Sequence, residues 1–153
     1  MTYVLYYWSG IPGRGEFVRL ALEDAGIHYT DIAQTQGGDE KMLAALKANS
    51  KTPPFAPPYL EAGARTIAQT AKILLFLGER HGLAPKSNPG RLWVHQLQLT
   101  IADLVAEVHE AHHPLAASLY YEDQKPEAAR RTQNLREERL PKYLSYFDDV
   151  LGR

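Results

Sequence analysis

An α/β half followed by an all-α half is the fold class this sequence predicts, and three observations predict it. Aromatic and β-branched residues fill Tyr3 to Trp8, and a glycine-rich loop and a helical repeat follow them. A proline cluster at Pro53, Pro54, Pro57 and Pro58 precedes two strand-like runs that flank Glu61-Ala62-Gly63. From Arg91 onward only helical spacing is present. A chain of 153 residues holds one ordinary domain, or a small domain and part of a second.

Tyr3-Val4-Leu5-Tyr6-Tyr7-Trp8 reads as a strand by composition. Gly10, Pro12, Gly13 and Gly15 mark a loop. Phe17, Leu20, Ala21 and Ala25 then recur at helical spacing, and Gly26 suits the position that ends a helix. His28 to Ala33 is a second short strand, which completes a βαβ unit. A short helix is expected from Asp39 to Ala48, with Met42, Leu43 and Leu46 inward. Pro58-Tyr59-Leu60 and Arg65-Thr66-Ile67 form a hairpin, and Gln69 to His81 a helix closed by Gly82. The order βαβ, α, ββα is a thioredoxin-like arrangement. It sets an α/β domain at residues 1–83, a linker at 84–90 with Pro85 and Pro89, and a helical domain at 91–153.

In the helical half, Trp93, Leu97, Ile101, Leu104 and Val108 lie on one stripe of a long helix that should bend or break at Pro114. A second helix runs from about Pro126 to Leu151, with Leu135, Leu140, Tyr143 or Leu144, Phe147 and Val150 inward and a kink at Pro141. Two such stripes cover each other only in part. The helical domain therefore reads as incomplete, or as bearing a large partner surface.

The formal net charge is -1, and neither half carries a long run of one sign. Nucleic acid and anionic membranes are not the expected partners. No stretch is apolar for long enough to span a bilayer. Met1 to Trp8 has no basic region or cleavage signature, so no secretory signal is expected and the cytoplasm is the expected location. The chain has no cysteine, which excludes disulfide staples, cysteine-based zinc sites and a CxxC redox pair. Any thiol chemistry must use a thiol supplied by a ligand.

Leu5-Tyr6-Tyr7-Trp8 followed by Gly13-Arg14-Gly15-Glu16-Phe17-Val18-Arg19-Leu20 resembles the opening of tyrosine-type glutathione transferases. Pro58-Tyr59-Leu60 and Ile67-Ala68-Gln69-Thr70-Ala71-Lys72-Ile73 are similar to their proline loop and Gln-Ser helix start, and Ile101-Ala102-Asp103 to the first helix of their C-terminal domain. The resemblance covers essentially the whole chain and rests on the order and spacing of these motifs. It implies an enzyme that joins the glutathione thiolate to small electrophilic apolar compounds, with glutathione as co-substrate and no further cofactor. Known members continue through several more helices.

By this resemblance Tyr7 is the catalytic residue and Arg14 assists the thiolate or the active-site loop. Ser9 is the runner-up, because some classes use a serine just beyond this strand. Tyr7 is otherwise an ordinary strand aromatic, Tyr6 points to the opposite face, and Arg14 is otherwise a solvated surface residue. The magnitude suits a phenol. Lowering a thiol from its usual pKa of about 8.5 to give mostly thiolate at neutral pH requires about 2.7 kcal/mol. One hydrogen bond to a charged group supplies about 1.5–3 kcal/mol.

Trp8, Pro57, Pro58, Gln69 and Thr70 are implied to bind glutathione, joined by Asp103 from the partner chain of a homodimer. Pro58 matches the family's cis-proline. Pro57 departs from the pattern, since it has no N–H for one of two expected main-chain bonds, and Ala56 stands where many relatives are polar. Both changes predict weaker glutathione binding or a shifted pose. Gln69 and Thr70 start a helix whose free N–H groups and dipole suit a carboxylate; simple helix capping is the alternative. Asp103 could equally pair with a basic neighbour. Gly10, Ile11, Val105 and His109 are expected to line the second-substrate pocket. His109, His112 and His113 cluster on one helix, but no cysteine or suitably spaced carboxylate completes a metal set, and no metal is expected. The rival class is a transferase-fold binding protein with little turnover. A thiol–disulfide oxidoreductase is disfavoured by the absence of cysteine.

Overall fold

The computed structural model describes residues 1–49 and 51–152. The chain divides into two compact units, Met1–Gln98 and Leu99–Arg153.

The first unit is built on a four-stranded sheet. Its elements are β1 (Tyr3–Tyr6), α1 (Gly13–Asp24), β2 (Tyr29–Asp31), α2 (Gly38–Ala48), β3 (Tyr59–Ala62), β4 (Arg65–Ala68) and α3 (Thr70–His81). The strand order is β2-β1-β3-β4. β1 runs parallel to β2, and β1–β3 and β3–β4 are antiparallel pairs. Tyr3, Leu5, Val18, Leu22, Leu60, Ala62, Ile73 and Leu77 form the core that α1 and α3 share with the sheet. α2 buries Met42, whose carbonyl accepts the Tyr59 hydroxyl at 2.7 Å.

Helix α1 ends as expected. Gly26 has φ +64°, its N–H donates to Glu23, and the Ile27 N–H reaches the Leu22 carbonyl at 2.9 Å. This is a Schellman closure. The helical spacing of Phe17, Leu20, Ala21 and Ala25 does not mark the buried face. Gly15, Val18 and Leu22 are buried, whereas Phe17 and Leu20 are exposed. In α2, Leu43 is likewise exposed rather than inward, while Leu46 is half-buried. β2 is shorter than expected, because Asp31 accepts the Ala33 N–H and turns the chain into a 3₁₀ helix at Ile32–Gln34.

Helix α4 (Asn88–His112) belongs to both units, so the last three residues of the expected linker, 88–90, are helical. Ser87 caps it through the Gly90 N–H. The second unit comprises the rest of α4, α5 (Lys125–Asn134), a π-helical turn at Leu135–Arg139 and α6 (Leu140–Leu151). The expected kink at Pro141 takes the form of this wide turn. Proline removes a donor and crowds the carbonyl four residues back, and a π turn relieves that by relaxing the spacing. The Leu140 N–H accordingly donates to Leu135, five residues back. Tyr143 is buried and Leu144 exposed, which settles that pair. α4 ends at His112, before Pro114. Among the described residues no helix is long and apolar enough to cross a membrane.

Candidate active site

Strand direction gathers the predicted residues of the first unit at one edge of the sheet. Tyr6 pairs with Tyr59, and Tyr59 with Ala68. Continuing that register by one residue sets Tyr7 opposite Pro58, and Pro58 opposite Gln69. α1 and α3 each follow a strand, β1 and β4, that ends on this side of the sheet, so their N-termini lie toward it.

Tyr7 is 6% exposed. Its hydroxyl accepts the Arg14 backbone N–H at 2.9 Å. The phenolic hydrogen is then left to donate elsewhere. Two glycines make room for the ring. A β-carbon on Gly15 would lie 2.5 Å from the Tyr7 Cδ1, and one on Gly13, at φ +43°, would strike the hydroxyl. Arg14 thus contributes its main chain, and the residue is exposed. The Arg19 guanidinium lies 6.0 Å from the centre of the Tyr7 ring and bonds Asp31 at 2.7 Å and Glu16 at 3.0 Å.

Tyr6 is differently employed. It stacks on Tyr59 at 4.5 Å and donates to Glu61 at 3.1 Å. Burial, with the Glu61 charge beside it, pushes its hydroxyl up to about 12, so it stays a neutral structural phenol.

The Pro57–Pro58 bond is cis, as expected. Pro58 is buried, Pro57 and Trp8 are half-buried, and Ala56 is exposed. Gln69 has φ +69° and caps α3. The Thr70 Oγ1 is buried and has no hydrogen-bond partner. A buried hydroxyl without a partner is costly in a folded chain and asks for an explanation. In the loop, Ser9, Gly10 and Ile11 are exposed, and the Ser9 N–H donates to Asp39 at 2.9 Å.

On α4, Asp103 and His109 are exposed and Val105 is half-buried. His109 and His113 have ring centres 5.2 Å apart. Among the described residues no group of three potential metal ligands forms.

Two clusters in the second unit escaped sequence reasoning. Gln124 is fully buried: its Oε1 accepts the Leu115 N–H at 3.0 Å, and its Nε2 donates to the carbonyls of Ala116 and Leu119. Glu107 accepts three bonds from Arg139, at 2.8, 2.9 and 3.1 Å, and one from Tyr143 at 2.9 Å, with Arg131 at 3.6 Å. Arg139 and Tyr143 hold its carboxyl down to about 2. Neither residue sits in a sequence motif, and a single Gln or Glu on a helix gives no signal of its tertiary partners.

The family model for the glutathione S-transferase C-terminal domain matches residues 109–153. The chain is 27% identical over 152 residues to a glutathione S-transferase of Plasmodium falciparum, covering 98% of this chain and 64% of that protein. It is 27% identical over 157 residues to mouse glutathione S-transferase Mu 6, covering 100% of this chain and 66% of that relative. The chain therefore spans just under two thirds of these curated relatives. Its fold is that of prostaglandin synthase D of Nilaparvata lugens, with a TM-score of 0.73 at 18% identity over 99% of this chain and 69% of the other. Residues 109–153 thus match the C-terminal domain of glutathione S-transferases, and the chain as a whole is similar to curated glutathione S-transferases.

Proposed function

We propose that this chain provides the glutathione-activating half of a glutathione transferase. The observation that carries the reading is the Tyr7 hydroxyl, which accepts a helix N-terminal N–H and keeps its own hydrogen to donate. Donated to the sulfur of glutathione, that hydrogen stabilises the thiolate. The thiolate attacks an electrophilic carbon of a small apolar compound. A sulfur–carbon bond forms, and the leaving group departs with its electron pair or, at an activated double bond, a carbanion takes a proton from water. The site contributes proximity and a pre-placed donor. The unpaired Thr70 hydroxyl and the α3 N-terminus suit the γ-glutamyl carboxylate. Pro57 offers a carbonyl for the cysteinyl main chain, and Trp8 an indole for the glycyl end. Gly10 and Ile11, in the exposed loop before α1, remain residues assigned to the second substrate. The functional form in this reading is a cytoplasmic homodimer that uses glutathione as co-substrate and no metal.

The test is thioether formation with a chlorodinitrobenzene, read beside retention on immobilised glutathione. Tyr7→Phe should lower the rate about tenfold to a thousandfold, the scale of losing a 1.5–4 kcal/mol transition-state interaction. Glutathione affinity should change far less. An unchanged rate would remove Tyr7 from the chemistry and promote Ser9. A second reading is favoured by Pro57, which lacks one main-chain donor, and by the apolar Ala56. In that reading the chain is a transferase-fold binding protein. Retention on glutathione without thioether formation would establish it.

A further inference from the structure

The loop between Tyr7 and α1 has little to hold it. Ser9, Gly10, Ile11 and Pro12 are all exposed, and a side chain added at Gly10 would meet open space. Its ends are fastened. At one, the Tyr7 ring is buried and its hydroxyl takes the Arg14 N–H. Near the other, Arg19 reaches the Pro12 carbonyl at 3.5 Å. Between them, the Ser9 N–H is held by the Asp39 carboxylate at 2.9 Å, across 30 residues of sequence.

Asp39 is a firm anchor for three reasons. It stands in the first turn of α2, where a carboxylate is favoured by the helix dipole. It is half-buried. The start of α2 is itself fixed, because Gly38 is buried so closely against the Ile32 carbonyl that a β-carbon there would clash.

We propose that Asp39 is a positioning residue for the second substrate, resting on the transferase reading above: its carboxylate holds the loop segment that carries Gly10 and Ile11 in place for the electrophile. Tyr7 is secured through Arg14, beyond this loop, so releasing Asp39 frees Ile11 and leaves the thiol-activating hydroxyl where it is. The consequence is a division of effects that a general loss of structure would not give. The bound electrophile must then order a mobile loop, so its KM rises. The pH midpoint of the reaction, which reports the glutathione thiol, does not move.

The experiment uses the full chain with Asp39→Ala, Asp39→Asn and Asp39→Glu. Asparagine keeps an acceptor oxygen in place. Glutamate keeps the charge at the helix start but moves the acceptor by one methylene, and so separates loop anchoring from helix stability. Hydrogen exchange of the Ser9 amide is followed together with KM for glutathione and for a chlorodinitrobenzene, and with the pH profile. The expected result for Asp39→Ala and Asp39→Glu is faster Ser9 exchange, a KM for the arene raised about threefold to thirtyfold, and an unmoved pH midpoint. Asp39→Asn should restore most of the loss. Ser9 exchange unaltered in Asp39→Glu, or exchange accelerated with KM for the arene unchanged, would overturn the proposal. So would a shifted pH midpoint, which would show that the loop also sets Tyr7. If the unsubstituted protein forms no thioether at all, the transferase reading fails by itself. The exchange measurement then still decides whether Asp39 holds the loop.

Discussion

In the proposed role of donor to sulfur Tyr7 must itself be held, and its hydroxyl is held by a backbone N–H rather than by a side chain. The arrangement depends on Gly13 and Gly15, since any β-carbon there would occupy the space of the ring. Tyr7 and Pro58 were singled out by the resemblance to tyrosine-type transferases; composition alone reads Tyr7 as an ordinary strand aromatic. Thr70 was legible only as a helix start. That its hydroxyl is buried and unpaired follows from packing, which no local pattern reports. This orphan hydroxyl gives a prediction at the same scale. Thr70→Val preserves shape and removes only the hydroxyl. If the hydroxyl serves only the fold, the change is neutral or stabilising by about 1–3 kcal/mol, the cost of a buried polar group left without a partner. If it binds the γ-glutamyl carboxylate, glutathione affinity falls about tenfold while the melting temperature holds or rises, and Thr70→Ser retains the affinity. Calorimetric titration beside thermal unfolding separates these outcomes. Unaltered affinity in the valine variant would take Thr70 out of the site.

At the scale of elements, the sequence placed the helices well and read the inward residues of α6 correctly, but it misjudged α1 and, at Leu43, α2. In α1 the apolar residues Phe17 and Leu20 drew the predicted stripe toward themselves. Gly15, on the true inward face with Val18 and Leu22, contributes no hydrophobic signal, although it makes the closest approach. The perturbation at Pro141 was expected but its π form was not, because a proline announces a perturbed helix and not which form the perturbation takes. The elements of the second unit are tied by charge, which periodicity does not reveal. Glu107 on α4 bonds Arg139 in the π turn and Tyr143 on α6. Its carboxyl, ordinarily near 4.5, is held down to about 2. In the window between those values the unfolded chain binds a proton that the folded chain does not. This contribution to stability is therefore full above about pH 5 and is lost as pH falls through the window toward 2. Denaturation melts from pH 6 to pH 2 should show stability falling, and Glu107→Gln should be less stable at pH 6 and lose less on acidification. Equal slopes for the two proteins would show that this cluster does not set the acid limb.

For the molecule as a whole, the decisive quantity is the apolar surface left on α4. On the predicted stripe Val108 is 46% exposed, and Trp93 and Ile101 39% each. The expected stripe exists, but within one chain it stays half-covered, more than scattered surface apolar residues would explain. A symmetric second copy is the commonest way to hide such a face, since one patch then serves both subunits. Asp103 lies within the same stretch of helix and is exposed in the single chain. In the proposed pose the glutathione ammonium would need a negative partner, and the sequence neighbours of Thr70, Gln69 and Ala71, supply none. The dimer we propose brings Asp103 of one chain toward Gln69 and Thr70 of the other, where partial desolvation makes the ion pair count for more than an exposed one. Sedimentation should give twice the 17.2 kDa chain mass. Asp103→Asn should keep that mass and weaken glutathione binding about threefold to tenfold, whereas Ile101→Glu on the apolar stripe should dissociate the pair and weaken binding to the same degree. A monomer that binds glutathione at full strength would show that the stripe is covered in another way. An Asp103→Asn dimer of unaltered affinity would keep the interface and remove the carboxylate from the site.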